Sequence, residues 1–569
     1  MEKQPIIEFK NFTFQYFSQA EPTLHAIDLS IKAGEKILIV GPSGSGKSTL
    51  GHCINGLIPF AYAGEISGSL TINGQDTREK NIFELSKIVG TVLQDADGQF
   101  VGLTAGEDIA FALENDNVPC DVMRERVRRV AEMVEMDTLL TSSPFELSGG
   151  QKQRTSLAGV MVDDVEILLF DEPLANLDPA TGKTAIEIID DIQKQSGKTI
   201  IIIEHRLEDV LHRFVDRIIV MDDGCIIADM DAHKLVSSPI LKDTGIREPL
   251  YVTALKYAGV RVTEEMQPGY IYTLDIHKSQ DALMDWHREI KQSAAPNTNP
   301  SVLQMENVSF SYDGVHIVLE NINFDIRKGE MISLVGRNGA GKSTLSKLLC
   351  GFEKESAGII RYRGQDISDL TIKERAEIIG VVMQNPNQMI SKPLIFDEVA
   401  LGLRFRDVPE EEVRPRVEKV LRVCGLMPFI DWPISALSYG QKKRVTIASI
   451  LVLNPDILIL DEPTAGQDFR HYTDIMEFLV GINKLGVTII LITHDMHLML
   501  EYTPRAIVLT NGRMVADASA SVILTDCDLI ECANLKETSL YHLAQMAGIS
   551  DGTQFVQGFI DHERRLKNR

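Results

Sequence analysis

The sequence predicts an α/β protein made of two tandem modules, each organised around a parallel sheet. Short apolar runs rich in β-branched residues, such as TIIII at 199–203, alternate with stretches of helical periodicity, such as VMRERVRRVAEMVEM at 122–136. This alternation is typical of strands that are connected by helices in a parallel sheet. Several motifs also occur twice in the chain, which indicates that the whole pattern is duplicated.

The duplicated motifs recur at a nearly constant spacing. GPSGSGKST, which begins at Gly41, recurs as GRNGAGKST at Gly336, 295 residues later. LSGGQKQR at 147–154 recurs as LSYGQKKR at 437–444, and LLFDEP at 168–173 recurs as LILDEP at 458–463, each pair 290 residues apart. The change from 295 to 290 predicts a five-residue insertion in the first copy, within GLIPFAYAGEISG.

The repeats also predict the domain boundaries. REPLYVTALKYAGV at 247–260 resembles KETSLYHLAQMAGI at 536–549, so each copy carries its own C-terminal tail. KQSAAPNTNP, rich in Pro, Asn, Ser and Ala, is typical of a short flexible linker. We therefore expect module 1 at 1–240, its tail at 241–290, the linker at 291–300, module 2 at 301–520 and its tail at 521–569.

The composition is that of an ordinary globular chain with an acidic charge balance. Of the 569 residues, 44% are hydrophobic, and 81 Asp and Glu oppose 57 Lys and Arg, for a net charge of −24. This balance argues against nucleic acid as the main partner, because phosphate-backbone binding favours a basic surface. The seven cysteines form no CxxC pair, which predicts reduced thiols in the cytosol. Since no apolar run approaches the ~18 residues of a membrane helix, we expect a soluble chain.

Both glycine-rich segments match the phosphate-binding pattern G-x4-G-K-[ST]. EKILIVG and EMISLVG predict strands that enter the loop, and STLGHCI and STLSKLL predict helices that leave it. In such a loop, backbone N–H groups surround the phosphate oxygens. Lys47 or Lys342 would then reach the β- and γ-phosphates, and the hydroxyl of Ser48 or Ser343 would bind Mg²⁺.

An acidic pair and a histidine follow apolar strands in each copy. Asp171 and Glu172 end the run LLFDE, and His205 ends TIIIIEH. In a phosphoryl-transfer site the Asp suits a Mg²⁺ contact, and the Glu could polarise the attacking water. The histidine could contact the γ-phosphate, although a lone histidine after a strand is also common as a structural residue. The second copy repeats the same order with Asp461, Glu462 and His494.

The duplicated octapeptides predict two helix N-termini. Ser148 with Gln151, and Ser438 with Gln441, have the spacing of a capping box, in which the two side chains bind each other's backbone N–H groups. A helix start presents free N–H groups and a partial positive charge, which suit a phosphate.

Each copy contains a phosphate loop, an octapeptide, an Asp-Glu pair and a histidine in this order. In this respect the chain resembles the ATP-binding-cassette (ABC) ATPases over nearly its entire length. The resemblance implies a RecA-like parallel-sheet core, an antiparallel β subdomain and a helical subdomain in each module. It further implies that two ATP molecules bind head to tail. Each octapeptide, which we call the signature, would complete the ATP site of the other module.

The resemblance assigns a role to each matching residue. The first composite site would join the first copy's loop with Ser438 and Gly440, and the second would join the second copy's loop with Ser148 and Gly150. The ATP-binding residues would be Tyr16, Gly41, Ser43, Gly44, Gly46, Lys47, Ser48, Thr49, Gln94, Ser148, Gly150, Tyr312, Gly336, Asn338, Gly339, Gly341, Lys342, Ser343, Thr344, Gln384, Ser438 and Gly440. The Mg²⁺ ligands would be Ser48, Gln94, Asp171, Ser343, Gln384 and Asp461, and the catalytic residues Glu172, Glu462, His205 and His494.

Some positions leave alternatives open. Tyr16 and Tyr312 fit the family's adenine-stacking aromatic, and the alternative for each is a packed strand tyrosine. Tyr439 stands where the first signature has glycine. As the first residue of a helix it would take an ordinary φ, so the backbone does not require glycine there. Two alternatives remain open for the first composite site: it is either intact or weakened. Gln467 and Leu174 also depart from the family pattern, which predicts unequal rates at the two sites.

Two classes of function remain for a tandem ABC ATPase. A soluble ATPase acting on ribosomes (class F type) or in DNA repair usually has a long charged linker and a basic surface, whereas this linker is short and the chain acidic. We therefore expect the ATPase subunit of a transporter, either an importer or an exporter. Among transport ATPases, the segments 92–115 and 382–403 resemble those of energy-coupling-factor (ECF) importers. The resemblance implies a peripheral protein on the cytoplasmic face of the membrane, with a transmembrane coupling subunit, a substrate-capture subunit, and a vitamin, vitamin precursor or metal ion as cargo.

Overall fold

The chain forms two units in a computed structural model that describes residues 5–93, 97–175, 177–289 and 299–567. Unit 1 comprises Met1–Trp286, Gly466–Arg470 and His542–Ile549, and unit 2 comprises His287–Ala465, His471–Tyr541 and Ser550–Arg569. The expected linker at 291–300 lies outside the described residues apart from its last two positions. The domain boundaries given above therefore stay predictions.

The first copy of the repeat contains two sheets. An antiparallel sheet has the strand order β2-β1-β4-β5, and a six-stranded sheet has the order β10-β9-β3-β8-β7-β6. In the larger sheet β3 lies parallel to both β8 and β9, and only the edge strand β10 runs antiparallel to its neighbour. The strands are β1 (Pro5–Tyr16), β2 (Leu24–Lys32), β3 (Lys36–Val40), β4 (Gly64–Ile72), β5 (Gln75–Asp76), β6 (Val89–Val92), β7 (Ile167–Asp171), β8 (Thr199–Ile203), β9 (Arg217–Asp222) and β10 (Cys225–Met230).

The second copy repeats this topology. Its antiparallel sheet has the order β12-β11-β14-β15 and its six-stranded sheet the order β16-β17-β18-β13-β19-β20. The strands are β11 (Ser301–Ser311), β12 (Ile317–Arg327), β13 (Met331–Val335), β14 (Ala357–Tyr362), β15 (Gln365–Asp366), β16 (Ile379–Val382), β17 (Ile457–Asp461), β18 (Thr488–Ile492), β19 (Arg505–Thr510) and β20 (Arg513–Ala518).

Helices connect these strands and form a separate helical subdomain in each copy. The first copy contains α1 (Lys47–Ile54), α2 (Leu57–Phe60), α3 (Ile82–Ser86), α4 (Ala105–Asn115), α5 (Cys120–Met133), α6 (Gly149–Met161), α7 (Pro179–Ser196), α8 (Leu207–Val210), α9 (Ala232–Ser237), α10 (Ile240–Asp243), α11 (Leu250–Tyr257) and α12 (Gln280–Glu289). The second contains α13 (Lys342–Cys350), α14 (Ile372–Arg375), α15 (Ile395–Arg404), α16 (Glu410–Val423), α17 (Tyr439–Leu451), α18 (Phe469–Lys484), α19 (Met496–Tyr502), α20 (Ala520–Ile523), α21 (Cys527–Cys532), α22 (Ser539–Met546) and α23 (Gly552–Lys567).

The predicted fold class is confirmed in both copies. Each has a mainly parallel core sheet, an antiparallel sheet and a helical subdomain. The predicted insertion coincides with the short helix α2, which has no counterpart among the described helices of the second copy. No helix in the described part of the chain is both long and apolar enough to cross a bilayer.

Apolar side chains from both sheets pack around the helix that follows each glycine-rich loop. In the first copy this core joins Phe9 of the antiparallel sheet, Ile201 of the parallel sheet and Leu50 of α1. Because β8 is buried along its whole length, its sequence is continuously apolar rather than alternating. A further core in the second copy joins α15, α16 and α17 through residues such as Val417.

A buried arginine distinguishes the second copy from the first. Arg375 is fully buried, and its guanidinium donates to the carbonyl oxygens of Leu348 at 2.6 Å and Ile367 at 3.1 Å. It therefore adds a side-chain donor to a carbonyl at the C-terminal end of α13, which also accepts from the N–H of Gly351 at 3.1 Å. The equivalent residue of the first copy is the buried Leu85, which packs against Gly56.

A buried ion pair distinguishes the first copy. Lys36 at the start of β3 and Asp190 on α7 are each 3% exposed, and the Lys36 ammonium contacts the Asp190 carboxylate. Burial lowers the pKa of Lys36 against the opposing effect of Asp190. The equivalent positions of the second copy hold the apolar residues Met331 and Val480.

Candidate functional site

Each glycine-rich segment forms a loop between a buried strand and a helix, as predicted. In the first copy the loop connects β3 to α1, and in the second it connects β13 to α13. Gly46 and Gly341 precede the helices with φ of 95° and 100°, a backbone conformation that side-chain-bearing residues rarely adopt. A Cβ on Gly41 would lie 2.2 Å from the carbonyl oxygen of Met221, so glycine is also needed where the loop begins.

The two loop lysines are buried against their own loops. Lys47 Nζ donates to the carbonyl oxygens of Gly41 at 2.9 Å and Pro42 at 2.8 Å. Lys342 Nζ makes the matching bonds to Gly336 at 2.7 Å and Arg337 at 2.9 Å. Burial lowers the pKa of Lys47 to about 8, against the effect of nearby carboxylates, of which Glu172 is the strongest. These ammonium groups are placed to meet an anion at the loop.

The remaining predicted loop residues fall into the same segment. Thr49 and Thr344 are buried in the first turns of α1 and α13. Gly44 and Gly339 have φ of 81° and 78°. Ser43, Ser48, Asn338 and Ser343 complete the two loops and helix starts. A cavity of about 360 Å³ borders the first loop at Gly44.

The Asp-Glu pairs lie at the carboxyl ends of β7 and β17, next to the phosphate loops. Ser48 Oγ lies 3.5 Å from Asp171 Oδ1. Burial, together with the neighbouring Glu172, raises the pKa of Asp171 to about 6. Burial likewise raises the pKa of Asp461. Carboxylates destabilised in this way would be stabilised in their ionised form by a cation.

Each predicted histidine contacts the glutamate of its own copy. His205 Nε2 lies 2.5 Å from Glu172 Oε1, whereas in the second copy His494 Nδ1 lies 2.7 Å from Glu462 Oε1. Burial acts to raise the pKa of Glu172, but the hydrogen bond from His205 and nearby positive charge outweigh it and lower the pKa. Each strand end thus holds a polarised carboxylate beside an imidazole.

Both octapeptides start helices with complete capping boxes, which confirms the sequence prediction. Gln151 N donates to Ser148 Oγ at 3.4 Å, and Ser148 N donates to Gln151 Oε1 at 2.9 Å. The same pair of bonds joins Ser438 and Gln441. Tyr439 is the first residue of α17, as expected, so its replacement of glycine leaves the helix start intact.

Tyr439 adds one contact that the first copy lacks. Its hydroxyl donates to the carbonyl oxygen of Gln384 at 3.3 Å, which connects the signature helix with a predicted Mg²⁺ ligand of the same copy. Gln94, the equivalent of Gln384, lies outside the described residues. The prediction for Gln94 therefore stays a prediction.

The predicted adenine-stacking tyrosines occupy equivalent places. The hydroxyl of Tyr16 lies 3.3 Å from Thr49 Oγ1, and the hydroxyl of Tyr312 lies 3.3 Å from Thr344 Oγ1. Tyr312 is 53% exposed and offers a ring face, whereas Tyr16 is half-buried. Each ring also packs edge-on against a strand phenylalanine, so the packing alternative and the stacking alternative are compatible.

Two aromatic residues beside Tyr16 were not predicted from the sequence. The ring of Tyr62 meets that of Tyr16 edge-on at 6.4 Å and stacks on His52 at 5.0 Å. In the second copy the position of His52 is taken by Lys347, whose ammonium lies 5.6 Å from the ring centre of Tyr312. Tyr62 belongs to the insertion, so comparing the two copies was the only sequence signal for it.

The structure also accounts for Leu174, one of the departures from the family pattern. Its backbone N–H donates to Glu204 Oε1 at 3.0 Å, and the Arg206 guanidinium contacts its carbonyl oxygen. Leu174 itself is buried. Residues that follow β8 thus bind both backbone polar groups of Leu174, so main-chain contacts rather than a side-chain hydroxyl hold this position.

Gln467 and its neighbour lie in unit 1. Both polar atoms of the Gln467 amide are buried without a hydrogen-bond partner among the described residues. Within the same unit, Asp468 Oδ2 accepts a hydrogen bond from the backbone N–H of Ser43 at 2.5 Å. The predicted phosphate loop of the first copy is therefore in direct contact with Asp468.

Comparison with known proteins identifies the family. A family profile described as "ABC transporter" matches residues 24–175 and 319–465, which include the phosphate loop, the signature helix and the Asp-Glu pair of both copies. The chain belongs to the ABC transporter family. A second profile, described as "ATP-binding cassette cobalt transporter", matches residues 238–310.

Curated relatives match this ABC transporter protein from end to end. A protein of Clostridium perfringens is 58% identical over 100% of both chains, and one of Photobacterium profundum is 56% identical over 99% of this chain and 100% of its own. Both are named as ABC transporter ATP-binding proteins. A solved structure titled as cbiO1 of Clostridium perfringens, part of the ABC transporter complex cbiONQ, is 34% identical and covers 44% of this chain and 99% of its own, with a TM-score of 0.39.

ABC transporter ATP-binding proteins are ATPases, so this chain is a tandem ATPase of a transporter. The predictions of an ATP-binding protein, of an ATPase and of two ABC modules are confirmed. The individual roles of the site residues stay predictions, and the geometry above supplies the variants that test them.

Gly440→Ala provides a test of the signature helix with little structural cost. A Cβ at Gly440 meets no neighbour closer than His471 Cδ2 at 4.0 Å, so we expect an unchanged melting temperature. If the helix start binds a phosphate, the added methyl group should lower kcat/KM for ATP by about tenfold. Gly150→Ala is the contrasting variant, since its Cβ would lie 2.4 Å from Thr181 Cγ2 and should also lower the melting temperature. Unchanged hydrolysis in Gly440→Ala would contradict phosphate binding there.

Proposed function

We propose that this ABC transporter ATPase powers an ECF-type importer, with a divalent metal ion such as cobalt as the first cargo to test and a vitamin or vitamin precursor as the alternative. The match of residues 238–310 to a profile described as a cobalt transporter carries this proposal. That region includes α11 and α12, the helical tail of the first copy. The tail lies beyond the nucleotide-binding segments, so its match adds information that the ATPase motifs alone do not contain.

We propose further that the two copies form two composite ATP sites head to tail. Two capped signature helices support this arrangement, because each presents backbone N–H groups with a partial positive charge. Each site would combine the phosphate loop of one copy with the signature serine and glycine of the other.

Mg²⁺ fits the oxygen donors beside each loop. Ser48 Oγ and Asp171 Oδ1 lie close together, and hydroxyl and carboxylate oxygens are ligands that Mg²⁺ prefers. Among the described residues no group of three or more His, Cys, Asp or Glu side chains forms a metal cluster. Mg²⁺ would therefore take its other ligands from nucleotide phosphates, water and the predicted glutamine, and it would neutralise phosphate charge.

Glu172 and Glu462 would orient and polarise the water that attacks the γ-phosphate. The glutamate carboxylate would accept a hydrogen bond from that water, and the histidine beside it would hold the carboxylate and contact the γ-phosphate. The 2.5 and 2.7 Å contacts between histidine and glutamate support this division of roles.

Exposed apolar side chains on the helical subdomains support a membrane partner. Val101 and Leu103, which precede α4, are 65% and 83% exposed, and Phe405 after α15 is 73% exposed. Contiguous apolar patches are typical of protein interaction surfaces, and Val101 and Leu103 are near neighbours in the sequence. They suit coupling helices of a transmembrane subunit, which would hold the chain at the cytoplasmic face of the membrane.

Purification from detergent-solubilised membranes tests the proposal. The tagged chain should retain membrane subunits, and the reconstituted complex should accumulate ⁵⁷Co²⁺ in vesicles only with ATP on the ATPase side. The Glu172→Gln/Glu462→Gln variant should bind the same subunits and transport at the background rate. Accumulation of a labelled vitamin instead of cobalt would identify the alternative cargo, and ribosomes in place of membrane subunits would contradict the importer.

A further inference from the structure

Glu462 adopts an unusual backbone conformation immediately after β17. Its φ is 45°, in the left-handed region that glycine, asparagine and aspartate occupy more easily. Glu172 has the matching φ of 50°. A residue persists in this conformation when surrounding contacts hold it there, and such residues cluster at functional sites.

The main chain of Glu462 is held by three hydrogen bonds. Its N–H donates to the carbonyl oxygen of Ile492 on β18 at 2.9 Å. Its carbonyl oxygen accepts from the N–H of Ala465 at 3.3 Å and from Lys443 Nζ at 2.9 Å. The bond from the ammonium is charge-assisted, so it is the strongest of the donors to this carbonyl.

Lys443 lies on the signature helix α17 and is 1% exposed. Burial lowers the pKa of Lys443 to about 8, against the opposing effect of the carboxylates of Glu462 and Asp461. Burying an ammonium costs free energy unless it is paired and hydrogen-bonded, so a lysine at this position needs a compensating role.

The first copy shows that the fold itself does not require a lysine there. The equivalent residue on α6 is Gln153, whose Nε2 contacts the carbonyl oxygen of Pro173, one residue beyond Glu172. The carbonyl oxygen of Glu172 accepts from the N–H of Ala175 at 3.0 Å. The same helix therefore supports the strand end through a neutral amide in one copy and through a cation in the other.

We infer that Lys443 is a positioning residue for Glu462: its ammonium fixes the carbonyl oxygen of the residue whose carboxylate meets His494. Glu172 of the first copy adopts the same backbone conformation without a cation, so the lysine restricts this conformation further rather than creating it. This inference rests on the proposed role of Glu462 in hydrolysis. The two hydrolytic centres then differ, because in the first centre the neutral amide of Gln153 binds the carbonyl oxygen of Pro173 rather than that of Glu172.

Lys443→Gln tests the inference, because it installs the residue that the first copy tolerates. In the full chain we expect kcat for ATP hydrolysis to fall only part of the way to the value of Glu462→Gln, with the contribution of the second centre lowered about threefold, because glutamine still supports Glu172 in the first copy. KM for ATP should change less than about twofold, and the melting temperature should stay unchanged, since nucleotide contacts and packing are retained. Lys419→Gln, the same change on the exposed face of α16, is the matched control and should keep the wild-type kcat.

The outcomes separate this inference from the function on which it rests. If Glu462→Gln lowers kcat and Lys443→Gln does not, the positioning role is wrong and the role of Glu462 stands. If Glu462→Gln leaves kcat unchanged, the role of Glu462 fails and the inference fails with it. A fall in kcat that is accompanied by an equal rise in KM or by a lower melting temperature would assign Lys443 a merely structural role.

Discussion

Replacing Glu172 and Glu462 together by glutamine should lower steady-state ATP hydrolysis by at least about a hundredfold, while ATP binding is retained. Glutamine keeps the size and the hydrogen bond to the neighbouring histidine, but it loses the negative charge that polarises the attacking water. Phosphate release would measure hydrolysis, and equilibrium binding of labelled ATP would measure occupancy. We expect the double variant to retain ATP for longer than the unmodified chain.

The two single variants should differ from each other. The second copy has Tyr439 bound to Gln384 and Lys443 bound to Glu462, contacts that have no equivalent among the described residues of the first copy. Glu411→Gln, on the exposed face of α16, is the matched control and should hydrolyse ATP at the normal rate. Undiminished hydrolysis in the double variant would refute the proposed role of both glutamates.

Asp190→Val should destabilise the first copy by about 3 kcal/mol or more, because it leaves the ammonium of Lys36 buried without its carboxylate. For a domain of this size the loss corresponds to a fall in melting temperature of about 10 °C. Differential scanning calorimetry would measure it, provided that the transition of the first copy is followed separately from that of the second.

The double variant Lys36→Met/Asp190→Val is the control that the chain itself supplies. Met331 and Val480 occupy these positions in the second copy, so the fold accommodates the apolar pair. Replacing a buried ion pair by apolar residues of similar volume is often neutral or stabilising, and we expect most of the lost stability to return. A double variant as unstable as Asp190→Val would show that the pair contributes more than charge compensation.

The sequence was sufficient to predict features that depend on neighbouring residues. The strand-loop-helix around Lys47 and the capping boxes at Ser148 and Ser438 follow from local patterns, because the bonds join residues three positions apart. The twofold repetition strengthened each of these predictions. The expected position of Tyr439 at the helix start was correct for the same reason.

Features that depend on contacts between distant residues were not predictable in this way. Lys443 and Glu462 are 19 positions apart, and only the packing of α17 against β17 brings the ammonium to that carbonyl. The insertion was visible from the repeat spacing, but nothing local determined that Tyr62 would turn back to the ring of Tyr16. Pairing of Lys36 with Asp190 spans 154 positions and has no motif.

The fully buried guanidinium of Arg375 has a consequence for how the duplicated gene can evolve. The carbonyl oxygens that it binds belong to α13 and to Ile367 before α14, whereas the first copy pairs Leu85 with Gly56. If gene conversion exchanged only α14 between the two halves, the first copy would bury a guanidinium beside Gly56, where Leu85 now packs. The second copy would lose the guanidinium that donates to the C-terminal end of α13. We expect such paired incompatibilities to disfavour homogenisation of the two repeats.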